Sequence, residues 1–170
     1  MVRKIVWWAL TVACLSMIFG FSSQSAAESS QVSGSLTETL LSLFPSYNAL
    51  SFEGQKAVLS VAQELVRSAA HVATFAALGF CVFMLTRSYD LRFSFLVAYP
   101  SCALVAVADE CLQRALAAGR AFEWVDLLKD WSGSRLGIGV AVLVGFVIKG
   151  ICCSRKEAEK WHIVLRHLKS

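Results

Sequence analysis

The chain has 170 residues, of which 56% are hydrophobic and 16% are charged. Ordinary soluble domains are less apolar and more charged than this, and the length allows one compact unit rather than several domains. The net charge of +4 is spread largely over the two ends of the chain instead of forming one patch, which excludes the usual pattern of a nucleic-acid-binding protein.

Four runs of the chain are nearly free of charged residues: 5–21, 69–86, 93–108 and 136–153. A helix needs roughly 20 apolar residues to cross the hydrocarbon core of a bilayer. Strands do not explain these runs, because apolar and polar residues do not alternate and open sheet edges cannot be satisfied in lipid. We therefore expect an all-α, polytopic membrane bundle of about four transmembrane helices, with the lipid bilayer as its surroundings.

The first run has two interpretations. Arg3 and Lys4, then an apolar stretch and Ser25-Ala26-Ala27, follow the order of a secretory signal with a small-residue cleavage site. If the run is retained instead, the basic residues of segments 87–92 and 154–170 fall on the same side of the membrane. The positive-inside rule favours this second arrangement. We expect a retained first span and cytoplasmic N- and C-termini.

The segment 22–68 is expected on the outer side of the membrane. Residues 22–35 are rich in Ser, Gln and Ala and are expected to be extended. Leucines at helical spacing then predict an amphipathic helix that ends before Pro45. A second amphipathic helix, about 51–67, is expected to continue into the second span. Such helices are expected to lie in the membrane interface or to cap the bundle.

The end of the chain differs in composition from the membrane domain. Residues 1–153 form the predicted four-helix membrane domain, and residues 154–170 form a predicted basic, amphipathic cytoplasmic tail. At the start of the fourth run, Gly133 and Gly137 have the G-x-x-x-G spacing that allows two helices to approach closely.

The six cysteines do not suggest a disulfide framework or a metal site. Three of them fall inside predicted spans, and no C-x-x-C spacing occurs. We expect them to act as small apolar side chains in the packing. Accordingly, we assign neither a metal nor a cofactor to the chain.

Polar residues gather where the four predicted spans meet the outer side. Arg67 and His71 are four residues apart and share one face of the second helix, and the other helix ends contribute carboxylates and amides at the same depth. Burying such groups costs several kcal/mol unless they are paired, so we expect their charged members to form a network between helices. The candidate polar site comprises Ser23, Gln24, Arg67, His71, Asp109, Glu110, Gln113, Arg120, Asp126 and Asp130.

The order and spacing of five short motifs resemble the VanZ-like family. They are Phe21-Ser22-Ser23-Gln24, Arg67-x-x-x-His71, Asp109-Glu110-x-x-Gln113, Gly119-Arg120 and Asp126-x-x-x-Asp130-x-x-Gly133-x-x-x-Gly137. No motif is specific alone, and the resemblance covers about residues 15–150. It implies a protein of the bacterial cytoplasmic (inner) membrane, and the namesake of the family is associated with low-level resistance to the glycopeptide antibiotic teicoplanin.

Four positions depart from the pattern of that family. A lysine is common at the position of Ser68, an acidic residue at Thr74, a tyrosine at Phe75 and a proline at Ala118. The missing carboxylate at Thr74 weakens the case for a complete catalytic or ligand-binding set around His71. The other carboxylates and the Gly-Arg step are present.

Three interpretations of the candidate site remain open. The polar residues are a structural clamp that fixes the helix ends, as buried ion pairs often are. Alternatively, they bind a lipid-linked or cell-wall head group or a glycopeptide, with the two arginines holding phosphate or carboxylate. The third interpretation is a membrane-embedded, metal-dependent or acid–base envelope enzyme, for which one histidine is a small ligand set.

Overall fold

The computed structural model describes the backbone of residues 1–116 and 123–167, and the side chains of residues 1–115 and 123–150. Within these ranges the chain forms helices and no strand. The helices are α1 (Val2–Ser22), α2 (Ala26–Ser42), α3 (Pro45–Asn48), α4 (Phe52–Ser88), α5 (Ser94–Leu116) and α6 (Trp124–His167). Four of them, α1, α4, α5 and α6, are long and apolar enough to cross a membrane. The predicted all-α bundle with four membrane-spanning helices is confirmed.

The four long helices alternate in direction along the chain. At one end of the bundle, Trp8 on α1 donates from Nε1 to the Tyr89 hydroxyl just after α4, over 3.0 Å. At the other end, Ser22 of α1 contacts Asp109 of α5, and His71 of α4 contacts Asp130 of α6. We call this second end the polar face. The first end is the basic face, which is named for Arg3, Lys4, Arg87, Arg92 and Lys149.

Helices α4 and α6 pack so closely that their contact leaves no room for side chains at three glycines. A Cβ atom added at Gly133 would overlap the backbone carbonyl of Val72, and one at Gly137 would overlap that of Ala76. Gly79 on α4 is packed in the same way against the backbone of Ser134. The close approach predicted from the G-x-x-x-G spacing is therefore confirmed, with α4 as the partner helix.

The apolar core lies directly beside the polar face. It draws on all four long helices and contains Ile18, Phe75, Leu78, Cys102, Ala106 and Leu127. A smaller apolar cluster of Phe83, Ala98 and Ala141 lies nearer the basic face. The described cysteines are free thiols; Cys81 and Cys102 are buried, and Cys102 is part of the larger apolar cluster.

Residues 22–35 were expected to be extended, and this expectation is wrong for most of the segment because α2 begins at Ala26. Ser25 caps the helix: its hydroxyl accepts from the Glu28 N–H, while the Glu28 carboxylate accepts from the Ser25 N–H over 2.8 Å. The backbone N–H of Ser25 and its hydroxyl both donate to the Glu28 carboxylate, and these two hydrogen bonds lower the pKa of Glu28 below its ordinary value. Further along, Ser33 donates to the Ser29 carbonyl, so the hydroxyl groups are satisfied within the helix.

Helix α2 also gains a tertiary partner that its composition does not reveal. The side-chain amide of Gln63 on α4 donates to the Ser30 carbonyl over 2.8 Å and to the Ser33 hydroxyl over 3.1 Å. Gly34 allows α2 to approach the same glutamine side chain. This contact holds α2 against the part of α4 that precedes the membrane span.

The second predicted outer helix is continuous with the second span, as expected, and forms the single helix α4 of 37 residues. At 1.5 Å per residue it is about 55 Å long, well beyond the roughly 30 Å of a hydrocarbon core. Its N-terminal half therefore extends past the bilayer core together with α2 and α3. At the other end of the chain, α6 runs on to His167. The side chains that would make the tail amphipathic lie outside the described residues.

The glycines of α6 provide a matched test of the α4–α6 contact. We expect Gly137→Ala to destabilise the folded protein by at least about 1–3 kcal/mol, because the new Cβ would force the two backbones apart. A Cβ at Gly139, two residues away, would meet no atom within 4 Å, so Gly139→Ala should cause no loss. The measurement is the free energy of unfolding in detergent micelles. Equal effects of the two substitutions would contradict the packing.

Candidate functional site

The end of α1 meets the end of α5 through three buried polar side chains. Ser22 is the last residue of α1, and its hydroxyl donates to Oδ1 of Asp109. Gln113 lies one helical turn after Asp109 on α5 and donates from Nε2 to its Oδ2 over 2.9 Å. The same amide nitrogen is 3.4 Å from the Ser22 hydroxyl. Both oxygens of Asp109 are thus hydrogen-bonded, although its side chain is buried.

A second set of polar contacts joins α4 to α6. Nδ1 of His71 lies 3.0 Å from Oδ1 of Asp130, and its Nε2 lies 3.9 Å from Oδ2 of Asp126. Lys129 contacts the other oxygen of Asp126 at 2.6 Å and reaches Glu64 on α4 at 3.8 Å. With an ionised Asp130, the histidine donates from Nδ1 and presents Nε2 toward Asp126. The imidazole is therefore held between two carboxylates of the neighbouring helix.

Two carboxyl groups at the polar face are buried with one oxygen unsatisfied. Oε2 of Glu110 accepts from the backbone N–H of Glu123 just before α6, over 3.1 Å. Its Oε1, like Oδ2 of Asp130, has no hydrogen-bond partner among the described residues. Unsatisfied buried oxygens are rare in folded proteins and cost free energy, so these two oxygens make Glu110 and Asp130 candidate functional residues.

A cavity of about 240 Å³ opens beside these contacts, between α1, α2, α4 and α5. Its polar side is formed by Ser22, Gln24, Arg67, His71, Asp109 and Gln113. Its apolar side is formed by Ile18, Phe21, Val32, Leu36, Val66 and Phe75, and α2 supplies two of these residues. The cavity therefore offers hydrogen-bonding groups at one side and a hydrocarbon-like wall at the other.

Arg67 has donors left over for a ligand in this cavity. One of its terminal nitrogens, Nη2, lies 3.4 Å from the half-exposed carboxylate of Glu64. Its Nε is buried and has no partner among the described residues. A planar guanidinium recognises phosphate or carboxylate through pairs of N–H groups, which a lysine cannot do. The Arg67 side chain as a whole is 32% exposed and lines the cavity, so other parts of its guanidinium are accessible to an anionic group there.

Most members of the sequence-derived site come together, but they do not form one continuous network. Asp109 and Gln113 belong to the α1–α5 contact, whereas His71, Asp126 and Asp130 belong to the α4–α6 contact. Arg67 pairs with Glu64 rather than with a carboxylate of the predicted set. Gln24 lines the cavity. Arg120 lies outside the described residues.

Ser23 does not join the site. Its side chain is exposed, and its hydroxyl donates back to the Gly20 carbonyl over 2.8 Å. The preceding residue, Ser22, takes the position that contacts Asp109. Ser22, Glu64 and Lys129 are the polar contacts that the sequence-derived set omitted. Lys129 was detectable in principle, because it follows Asp126 by three residues on the same helical face.

The structure shows how the surroundings of His71 are arranged when Thr74 replaces the acidic residue of the family pattern. The Thr74 hydroxyl donates to the backbone carbonyls of Ala70 and His71, at 2.8 Å and 3.0 Å. The histidine obtains its carboxylate partners from α6 instead. Among the described residues, no group of three or more His, Cys, Asp or Glu side chains has an arrangement that could hold a metal ion.

The buried His71–Asp130 pair can be measured by a double-mutant cycle. We expect His71→Ala and Asp130→Ala to be coupled by about 0.5–3 kcal/mol in the free energy of unfolding, because the Asp130 side chain is 0% exposed, the His71 side chain is only 14% exposed, and each substitution removes the partner of the other. The control cycle uses Arg3 and Asp90, which are 4.0 Å apart and whose side chains are 64% and 94% exposed. That pair should show no measurable coupling. Coupling of the same size in both cycles would contradict a buried interaction.

Comparison with known proteins agrees with the helices and polar contacts described above. A family model described as VanZ/LLP1 matches residues 7–145, a range that contains most of each membrane-spanning segment and both sets of polar contacts. No significant match was found among curated proteins or among solved structures. Since the matched region makes up most of the 170 residues, the chain belongs to the VanZ/LLP1 family.

Proposed function

We propose that this protein binds an amphipathic component of the bacterial envelope at the outer face of the cytoplasmic membrane, and that this binding confers resistance to teicoplanin. The observation that carries the proposal is the cavity at the polar face, which joins a polar side to an apolar wall. A ligand with a polar head and a hydrocarbon portion, such as a lipid-linked envelope precursor, matches both sides. Ionisable residues inside a membrane protein are functional candidates by default, which supports the same choice.

The polar side of the cavity favours a head group with an anion and additional hydrogen-bonding atoms. Arg67 lines the cavity with a side chain that is 32% exposed, and a phosphate or carboxylate would accept from the exposed part of its guanidinium. Gln24 offers both a donor and an acceptor beside it. Asp109 is already hydrogen-bonded to Ser22 and Gln113, so its part is to hold those side chains in place.

The apolar wall favours a hydrocarbon chain that enters from the side. Phe21, Val32 and Leu36 are each about half exposed, although they line the cavity. Burying their exposed surface against a ligand stabilises the complex by roughly 25 cal/mol for each Å² of apolar area removed from water. Helix α2 carries two of the three, and its main packing partner is α4.

The proposed orientation follows from the charges at the two faces. Arg3, Arg87 and Arg92 mark the basic face, and cytoplasmic loops carry an excess of such residues. The polar face would then be outside, where envelope precursors and glycopeptides are found. Retention of α1 is part of the proposal, because Ser22 of α1 completes the hydrogen bonding of Asp109.

General acid–base chemistry on the bound head group is a second candidate function. It is favoured by the His71–Asp130 contact, in which a carboxylate orients an imidazole that lines the cavity.

The alternative without chemistry is that the polar contacts only hold the helices of an accessory membrane protein together. Membrane abundance separates this alternative from the others, because a purely structural role would lower it when the contacts are removed.

The orientation is tested with reporter fusions placed after the last predicted span. A reporter that is active only in the cytoplasm should be active when fused after Arg155, and alkaline phosphatase at the same position should be inactive. An N-terminal tag should remain on the membrane-inserted protein, because we expect α1 to be retained. Alkaline phosphatase activity after Arg155, or loss of the tag on insertion, would contradict the proposed arrangement.

Resistance is tested by teicoplanin and vancomycin susceptibility of a sensitive Gram-positive host that carries this chain or an empty vector. We expect the chain to raise the inhibitory concentration of teicoplanin and Arg67→Ala to abolish the increase. Removing a charge-assisted hydrogen bond costs about 1.5–3 kcal/mol, which corresponds to roughly a tenfold or larger loss of affinity. Arg135→Ala is the matched control, since Arg135 does not line the cavity and lies over the Tyr99 ring instead.

A second pair of variants tests the cavity without removing a charge. Val32→Trp fills the apolar wall and should lower resistance, whereas Val58→Trp, at an exposed position of α4 away from the cavity, should not. Membrane levels of all variants are matched by immunoblot. If the parent chain is well inserted and the inhibitory concentration of teicoplanin does not rise, the resistance assignment is refuted. Equal loss for both tryptophan variants would refute the cavity as its site.

A further inference from the structure

We infer that the basic face holds a second binding site, which takes an anionic phospholipid with one acyl chain in a groove between α1 and α5. The groove has a volume of about 340 Å³, and residues of α4 form its floor. It lies at the opposite end of the bundle from the cavity described above. The inference depends neither on the resistance proposal nor on which face is outside.

The groove exists because α1 and α5 are joined at one end only. At the polar face they are tied by Ser22 and Asp109. Toward the basic face, Trp8 and Thr11 on α1 are separated from Val97 and Ser101 on α5, and all four residues line the gap. No described side chain fills the space. In a membrane this space opens to lipid, so an acyl chain is the natural occupant.

The dimensions of the groove suit a hydrocarbon chain. Its floor runs along α4 from Leu78 to Tyr89, a rise of about 16 Å along the helix axis. The lining is mostly aliphatic and includes Val82, Leu85 and Val105. A single acyl chain can lie along this floor, whereas a compact polar ligand would find almost no hydrogen-bonding partner there.

The mouth of the groove has the residues that a phosphate requires. Trp8 and Tyr89 line it and are hydrogen-bonded to each other, an arrangement suited to the boundary between lipid tails and head groups. Lys4 lies 4.2 Å from the centre of the Tyr89 ring, which places its ammonium directly beside the mouth. Basic residues between membrane helices are typical head-group sites for anionic lipids.

Among the residues whose side chains the structure describes, the positive charge at this face is not neutralised. The helix ends and turn around the mouth carry Arg3, Lys4, Arg87 and Arg92 against the single carboxylate of Asp90. Arg3 is 4.0 Å from Asp90, and both side chains are largely exposed, so this ion pair holds little of the charge. An anionic head group complements this excess, and a zwitterionic one does not.

The experiment uses the full chain with Trp8 as its only tryptophan, the other four being replaced by phenylalanine. The protein is reconstituted into phosphatidylcholine vesicles that contain a minor fraction of acyl-brominated phosphatidylglycerol or, in parallel, acyl-brominated phosphatidylcholine. Bromine quenches tryptophan on contact, so the dependence of Trp8 fluorescence on the brominated fraction reports occupancy. We expect a preference of roughly tenfold for phosphatidylglycerol, from attraction by one or two basic residues.

Two variants test which residues cause the preference for phosphatidylglycerol. Lys4→Gln in the same single-tryptophan chain should remove most of this preference, while Trp8 remains quenched by bulk lipid. Val97→Phe, at a half-exposed position of the groove wall, should reduce quenching by phosphatidylglycerol by filling the space for the chain. A chain with Trp124 alone, which is exposed at the polar face, serves as the control and should show no head-group preference.

Three outcomes would overturn the inference. Equal quenching of Trp8 by the two lipids would mean an unselective lipid shell. An equal preference at Trp124 would mean attraction to the whole protein rather than to this groove. Weak quenching by both lipids that increases as the protein is diluted in lipid would mean that a second copy of the chain covers the groove.

Discussion

Burial of carboxyl groups at the polar face is the constraint on which the rest of the bundle depends. Asp109, Glu110 and Asp130 are each at most 1% exposed, and a buried carboxyl group requires donors from elsewhere in the fold. Those donors come from three different segments: Ser22 at the end of α1, His71 on α4 and the backbone N–H of Glu123 before α6. Sliding any one helix along its axis would break one of these contacts. The polar face therefore sets the axial register of the helices. Their apolar surfaces alone would allow several registers.

The apolar packing and the polar contacts are parts of one interface. Val72, which meets Gly133, directly follows His71, and Gly133 lies one helical turn after Asp130. The 3.0 Å contact between His71 and Asp130 is possible only because the two backbones approach at these positions. A side chain at Gly133 would separate the helices and pull the carboxylate from the imidazole. Small residues are thus required here for the geometry of the site as well as for packing.

The sequence was sufficient to predict the spans, because hydropathy is a property of long stretches. It also predicted where the polar residues gather, because helices that alternate in direction bring their polar ends together. The sequence did not predict the features that depend on a single residue. Ser22 and Ser23 differ by about 100° around α1, so only the rotation of the helix shows that Ser22 meets Asp109 and Ser23 faces outward. Composition also misled for α2, because its helix depends on the Ser25 cap and on hydrogen bonds from Gln63. Neither contact is visible as a periodic pattern.

The two openings of the bundle differ in which segments line them, and this follows from the connections between helices. At the polar face, α1 continues through Ser23–Ser25 into α2, which lies against α4 and forms one wall of the cavity. At the basic face, the turn between α4 and α5 is short, and Asp90 adopts a positive φ of 58° to complete it. That turn contributes no helix that could cover the groove. The polar cavity thus has one wall that does not belong to the four long helices, whereas the groove is lined by α1, α4, α5 and the turn between α4 and α5. In the proposed function, a ligand of the polar cavity would therefore contact α2 as well as the polar side chains of α1, α4 and α5.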